Sequence, residues 1–267
     1  GTTSTNSTGE GSRPNEVKEL AVALKGDPDL IYDHVRNNTR MVWTYGLSKG
    51  AMGVIVDRTG NAFDQAHLMV ELLRESGLTA SYKIGTITLS GTQFADWSGI
   101  TSATAACQLL SSGGIPAVIN GTTSATCAYG AATVSTIEMG HAWVAVVIGG
   151  STYVFDPAYK ANTVKAGMDL ATNTGLTTGY VLSVAKYPAS NSGTYWSGTQ
   201  SGVAFSGGLS VVQMNAVLQN YATNLQTAIQ NSATASVGDQ GDVVGGQALV
   251  QTTIPSGGLR QTTLPYT

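Results

Sequence analysis

The rhythm of apolar positions changes twice along the chain. Up to Gly77 it is helical. Val17, Leu20, Ala21 and Leu24 recur at helical spacing behind Pro14, so a first helix is predicted to open at that proline, with Ser12 or Arg13 before it. In "GDPDLIYDHVRNN" Asp27 is the expected N-cap, Pro28 opens the helix, and Asp29 complements its dipole. Leu30, Ile31, His34 and Val35 form the predicted inner face, and Asn37 and Asn38 end it. "RMVWTYG" reads as a short extended piece. A third helix follows in "GNAFDQAHLMVELLRESG". Asn61 is its expected cap, Asp64 can reach back as an acidic capping-box partner, Ala66, Met69, Leu72 and Leu73 share one face, and Gly77 stops it.

Beyond Gly77 the rhythm turns to strands. "TASYKIGTITL" is rich in β-branched and aromatic residues. "GHAWVAVVIGGSTYVFDPAYK" is two apolar runs joined by Gly149-Gly150, which predicts a hairpin. Residues 161–208 follow neither rhythm. A long amphipathic helix then returns in "LSVVQMNAVLQNYATNLQTAIQN", with Val212, Leu218, Tyr221 and Leu225 among its apolar positions. Helices followed by antiparallel strands predict an α+β domain, a central helix packed on an antiparallel sheet with a long C-terminal helix added. The expected organisation is a flexible leader at 1–13, one domain over 14–231, and an extension at 232–267 leading to further domains.

Composition narrows the function. Charged residues make up 11% and the net charge is −3. Lys and Arg are sparse and scattered, which argues against a nucleic-acid partner. No run of 18 or more apolar residues occurs, so membrane insertion is not expected. The neutral, Thr/Ser/Gly-rich surface suits an extracellular or cell-surface setting. Cys107 and Cys127 bracket "CQLLSSGGIPAVINGTTSATC". One of them could be a reactive nucleophile. A disulfide closing a loop of about twenty residues, worth roughly 3 kcal/mol, is the preferred reading. Neither cysteine opens a recognisable helix that would lower its pKa. A disulfide in turn favours secretion.

Three pieces carry candidate chemistry. They are the start of the third helix at 60–66, His141 at the head of the hairpin, and Asp156 at its end. With the turn at 149–150, residues 141 and 156 lie toward the same open end of the hairpin. A carboxylate beside an imidazole holds its tautomer and stabilises its charged form. A thiol at a helix N-terminus beside that pair would complete Cys-His-Asp acyl transfer.

These residues resemble the transglutaminase-like superfamily, whose core is related to papain-type thiol proteases. Its members carry "G-x-C-x-D-x-A-x-L" at a helix start, a leucine-rich helix ending in Gly, then "HAWVEV", a turn and "DP". This chain has "GNAFDQAHL", "LLRESGLTASYKIG", "GHAWVAVVIGG" and "YVFDPAYK" over about residues 15–160. It is similar in particular to the bacterial branch found in large secreted proteins with RHS/YD-type repeats, where "W-x-G-I" (Trp97, Gly99, Ile100) and a late helix before "LP" also recur. The resemblance puts His141 on the catalytic histidine, Asp156 on its acid, and Ala62 on the nucleophile. It also implies that the backbone N–H of residue 62 stands where an active member has an oxyanion-hole donor.

A methyl group cannot attack a carbonyl, so two readings follow. One is a non-catalytic domain serving as a structural, docking or binding module of a larger secreted or surface protein. Its partners would be the other domains or a protein or peptide ligand. The other is a Cys-His-Asp acyltransferase or peptidase whose nucleophile was mutated to Ala62. A third, weaker reading uses Cys107 or Cys127 as nucleophile. Asp64, Trp43 and Trp143 are the remaining cleft candidates, with Asp64 read first as a helix cap and the tryptophans as core and cleft-wall residues. A metal site from His141, Asp156 and Asp64 is the weakest reading. No metal and no cofactor are expected.

Overall fold

The computed structural model describes residues 13–165, 167–175, 195–200, 203–208, 211–231, 245–256 and 258–267. The leader at 1–12, the stretches 176–194 and 232–244 and the side chain of Val212 lie outside the described residues.

The first helices form where their caps lie. α1 spans Asn15–Ala23, with Pro14 as the residue before it. The proline thus stands at the N-cap and not at the first helical position, and its lack of an N–H leaves nothing unsatisfied there. α2 spans Pro28–Asn38, and the Asp27 side chain accepts from the N–H groups of Asp29 and Leu30. Its buried positions are Pro28, Asp29, Ile31, Tyr32, Val35 and Arg36, while Leu30 and His34 are only half-buried. β1 (Arg40–Met41) pairs in parallel with β2 (Thr59–Gly60), and α3 (Gly50–Asp57) lies between them.

α4, Ala62–Glu75, is the central helix. Its capping box is complete, with the Asn61 side chain on the Asp64 N–H and the Asp64 side chain on the Asn61 N–H. Gly77 follows with φ +79°, a conformation that glycine adopts without a Cβ penalty. Ala66, Met69, Leu72 and Leu73 are fully buried. They share a core with Val17 and Ala21 of α1, Ile31 and Val35 of α2, and Val54 of α3.

That core is roofed by an antiparallel sheet. β3 (Thr79–Ser90) pairs along its whole length with β5 (Thr136–Ile148). β5 turns at Gly149-Gly150 into β6 (Ser151–Phe155), with Ile148 opposite Ser151. Between β3 and β5 come α5 (Gly91–Ser98), α6 (Ala103–Ser112) and the short strand β4 (Ala117–Ile119), which also pairs with β5. Ala142, Val144 and Val146 of β5 join Phe155 in the α4 core. A second core packs Phe94, Trp97, Ala106 and Leu110 of α5 and α6 against Ile87, Leu89, Ile137 and Met139. Cys107 and Cys127 are disulfide-bonded, tying α6 to the following loop. Cys107 therefore sits inside a helix, where the sequence had suggested a loop.

Residues 249–267 pack against the same unit. The Arg36 guanidinium donates to the Val250 carbonyl, and the Asn37 amide donates to the Thr252 carbonyl. Asp29 accepts from the Leu259 N–H and pairs with Arg260 at 3.2 Å. The Val154 N–H of β6 donates to the Gln261 carbonyl.

Of the described residues, those up to Thr163 together with Leu249–Thr267 form one compact unit, and those within Val164–Ala248 form a second. After β7 (Asn162–Lys165), the second unit holds α7 (Leu170–Thr174), the hairpin of β8 (Tyr195–Gln200) and β9 (Val203–Gly208), and α8 (Val211–Asn231); β10 (Gly246–Leu249) follows. In α8, Val217 is buried and the expected Tyr221 and Leu225 are half-buried on the same face, while Leu218 is 52% exposed and lies off it.

Candidate active site

The site begins with two helix starts. α3 opens at Gly50 behind Lys49, whose side chain provides no cap. Its orphan N–H groups are served from α4. Asp64 Oδ1 accepts from the N–H groups of Ser48 at 2.9 Å and Lys49 at 2.8 Å. Asp64 Oδ2 accepts from the Ser48 hydroxyl at 2.8 Å and the Asn61 N–H at 3.3 Å. The Asn61 amide donates to Thr44 Oγ1 and to the Gly46 carbonyl. One acid thus caps two helices. Burial alone would push the Asp64 carboxyl up, but these donors hold it below its ordinary value. With both oxygens turned to this loop, Asp64 is a structural anion and not a cleft residue.

Ala62 is the first residue of α4 and is 5% exposed. It lies in the second core with Trp97, Met139 and Ala158, and the partly buried Tyr159 and Tyr266 pack against that core.

The hairpin supplies the rest. His141 on β5 and Asp156 after β6 are 1% and 2% exposed, with His141 Nε2 at 2.7 Å from Asp156 Oδ2. Asp156 Oδ1 accepts from the N–H groups of Ala158 at 2.9 Å and Tyr159 at 3.2 Å. The Tyr266 hydroxyl donates to Asp156 Oδ2. Burial pushes the Asp156 carboxyl up, and the positive charge and N–H of His141, with these other donors, pull it below the ordinary range. The same burial, with Asp156 beside it, pushes the Tyr266 phenol well up.

An ionised Asp156 takes its hydrogen bond from His141 Nε2–H, so Nδ1 is the ring nitrogen that the carboxylate does not engage. Among the described residues, Nδ1 is buried and has no hydrogen-bond partner. Trp97 Nε1 is likewise buried and unpaired, and the Trp97 ring meets the His141 ring edge-on at 5.5 Å between centroids. Two unsatisfied polar atoms thus occur on adjoining rings, at a cost of about 1–3 kcal/mol each. A buried polar atom left so calls for an explanation, and a place in a reactive cleft is one.

The other candidates are distributed around this pair. Trp43 meets Trp97 at a tilt of 50° with 4.6 Å between ring centroids, and Trp97 in turn meets the His141 ring. Trp143 lies over Gly85, which stands opposite His141 across the strands. Among the described residues, no three His, Cys, Asp or Glu side chains gather as a metal set. Both cysteines of the chain are consumed by the disulfide, so neither is a free nucleophile. Sequence reasoning had not singled out Tyr266, Tyr159 or Lys160. The Lys160 ammonium is 3% exposed and donates to the carbonyls of Arg36 and Thr39 and to Gln65 Oε1. Burial, with the Arg36 charge nearby, pulls its pKa down to about 7.

A helix packed on an antiparallel sheet that carries a buried imidazole–carboxylate pair defines the class of protein. The profile of the transglutaminase-like superfamily matches residues 18–157, more than half of the chain, and the chain belongs to that superfamily. No curated protein matches. The crystal structure of a candidate cysteine protease from Cytophaga hutchinsonii matches 54% of this chain at 18% identity, with a TM-score of 0.31; this chain spans 37% of that one.

Proposed function

We propose that this is a non-catalytic transglutaminase-like domain, a structural, docking or binding module of a larger secreted or surface protein of the RHS/YD-repeat kind. The observation that carries the reading is the methyl group of Ala62 at the buried start of α4, where the superfamily keeps its thiol. With Cys107 and Cys127 bonded to each other, no cysteine replaces it. His141 and Asp156 are then a remnant pair. They can polarise a proton, but Ala62 offers none to take. The disulfide and the low charge support a secreted or surface location.

The second reading, a Cys-His-Asp acyltransferase or peptidase blocked by Ala62, is favoured by the intact pair and the unpaired His141 Nδ1. Restoring the thiol separates the two. In the non-catalytic domain, the thiol of an Ala62→Cys variant should react with iodoacetamide at about pH 6 no faster than a free thiol, because a cleft that has lost its function no longer aligns the imidazole with residue 62. Peptidyl acyl donors should remain uncleaved and untransferred. A fast-reacting thiol with acyl-donor turnover would overturn the non-catalytic reading.

A further inference from the structure

One segment of the unit approaches the His141–Asp156 pair from far away in sequence. Gln261 bonds to the edge of β6, opposite Val154. Six residues later the Thr267 backbone oxygen accepts from the Thr88 N–H of β3 at 2.6 Å. β3 and β6 flank β5 on opposite sides, so residues 261–267 link the outer edges of these two strands. At the far side the Gln93 side chain donates to the Pro265 carbonyl at 2.9 Å. The carbonyls of 265 and 267 are thus held on the β3/α5 side while Tyr266 reaches Asp156. Alternate backbone groups for affinity and an intervening side chain in a pocket are how an extended peptide docks on a sheet edge.

The hold is light. Thr262, Thr263, Pro265 and Thr267 are exposed, and Gln261, Leu264 and Tyr266 are partly covered. The Tyr266 ring packs edge-on against Tyr159 at 5.0 Å and lies 6.4 Å from His141. A groove of about 410 Å³ continues beside the segment, walled by Leu89, Ser90, Gln93 and Thr136.

We propose that residues 261–267 are a displaceable strap, and that the surface beneath it is a peptide-binding groove for an extended segment bearing a proline followed by a tyrosine. The strap fills the groove in cis. Its tyrosine hydroxyl takes the open acceptor position on Asp156, and a second peptide of the same chemistry competes for that position. The inference concerns what covers the pair and holds whatever residue stands at 62, so its failure leaves the non-catalytic reading untouched.

Hydrogen exchange and peptide titration test it on the full chain with Ala62 unchanged. If the strap opens by itself, the Thr88 amide should exchange at least about tenfold faster than those of Val144 and Val146 at the centre of the sheet, with little dependence on mild denaturant. Tyr266→Phe, which removes one hydrogen bond, should speed Thr88 about fivefold further and leave the sheet centre unchanged. A fluorescent Gln-Thr-Thr-Leu-Pro-Tyr-Thr peptide should bind a Tyr266→Ala variant at least about tenfold more tightly than the parent chain, in which the strap is already seated. Phe in place of the peptide's Tyr should weaken it. Exchange of Thr88 only in step with the sheet centre would make the segment a fixed part of the fold and overturn the proposal. Absence of peptide binding to a folded Tyr266→Ala variant, or equal binding to both proteins, would overturn it too.

Discussion

Asp64 and Asp156 are equally hidden from water, and both carboxyls are held below their ordinary pKa. Their surroundings differ in kind. The partners of Asp64 are backbone N–H groups and hydroxyls within sixteen residues, all belonging to two adjoining helix starts. Asp156 is held by an imidazole fifteen residues away and by a phenol 110 residues away. The first set cannot change protonation near neutral pH. The second includes an imidazole whose other ring nitrogen has no hydrogen-bond partner among the described residues. Burial and a lowered pKa therefore do not distinguish a cap from a site. The chemical identity of the partners does.

The strongest way to break this comparison is to remove the cap. Asp64→Ala should cost about 4 kcal/mol in urea unfolding, because the N–H groups of Ser48 and Lys49 lose their acceptor in a buried place. A cost under about 1 kcal/mol would mean that α3 does not depend on α4 for its cap.

Asp156→Asn sharpens the contrast. An amide presents one oxygen where two are in use. Either the Ala158 and Tyr159 N–H groups or the His141 and Tyr266 donors must face its NH₂. The expected loss is about 2 kcal/mol. Asp64→Asn should lose less, since the Ser48 hydroxyl can turn and donate elsewhere. The two variants compared by denaturant midpoint at a common m-value give the ordering.

A further contrast concerns Lys160, whose ammonium links the two regions through Gln65 of α4. Its folded pKa of about 7 lies below the ordinary 10.5. Between those values the unfolded chain holds a proton that the folded chain has shed. Stability should therefore rise with pH over this window. Lys160→Met removes the group in both states, so its stability should lose that part of the slope between pH 7 and 9 in thermal unfolding.

Much of this was legible in the one-dimensional chain wherever the determinant is local. Asp27-Pro28 announced α2, the Asn61/Asp64 box announced α4, and Gly149-Gly150 fixed the hairpin register that brings residues 141 and 156 to one end. α3 escaped notice because "GAMGVIVD" is capped from outside itself, by Asp64. α5 carried a readable capping box in Ser90 and Gln93, but its glycine start and Gly99 stop hid it in a polar stretch. α6 was masked by small residues whose helical face shows only against Ile137 and Met139.

By itself the sequence determined that a capped helix would start at Ala62, that a hairpin would carry His141 and Asp156 at its open end, and that no free-standing thiol pattern marked a nucleophile. All of these follow from caps, turns and alternation, which act over a few residues. Only the tertiary structure decided that Asp64 faces a helix start, that Lys160 spends its charge on the end of α2, and that Tyr266 closes on Asp156. Those contacts join residues from 15 to 124 positions apart. Such pairings arise when burial forces polar groups to find partners wherever the packed chain brings them, and no local spacing records that outcome.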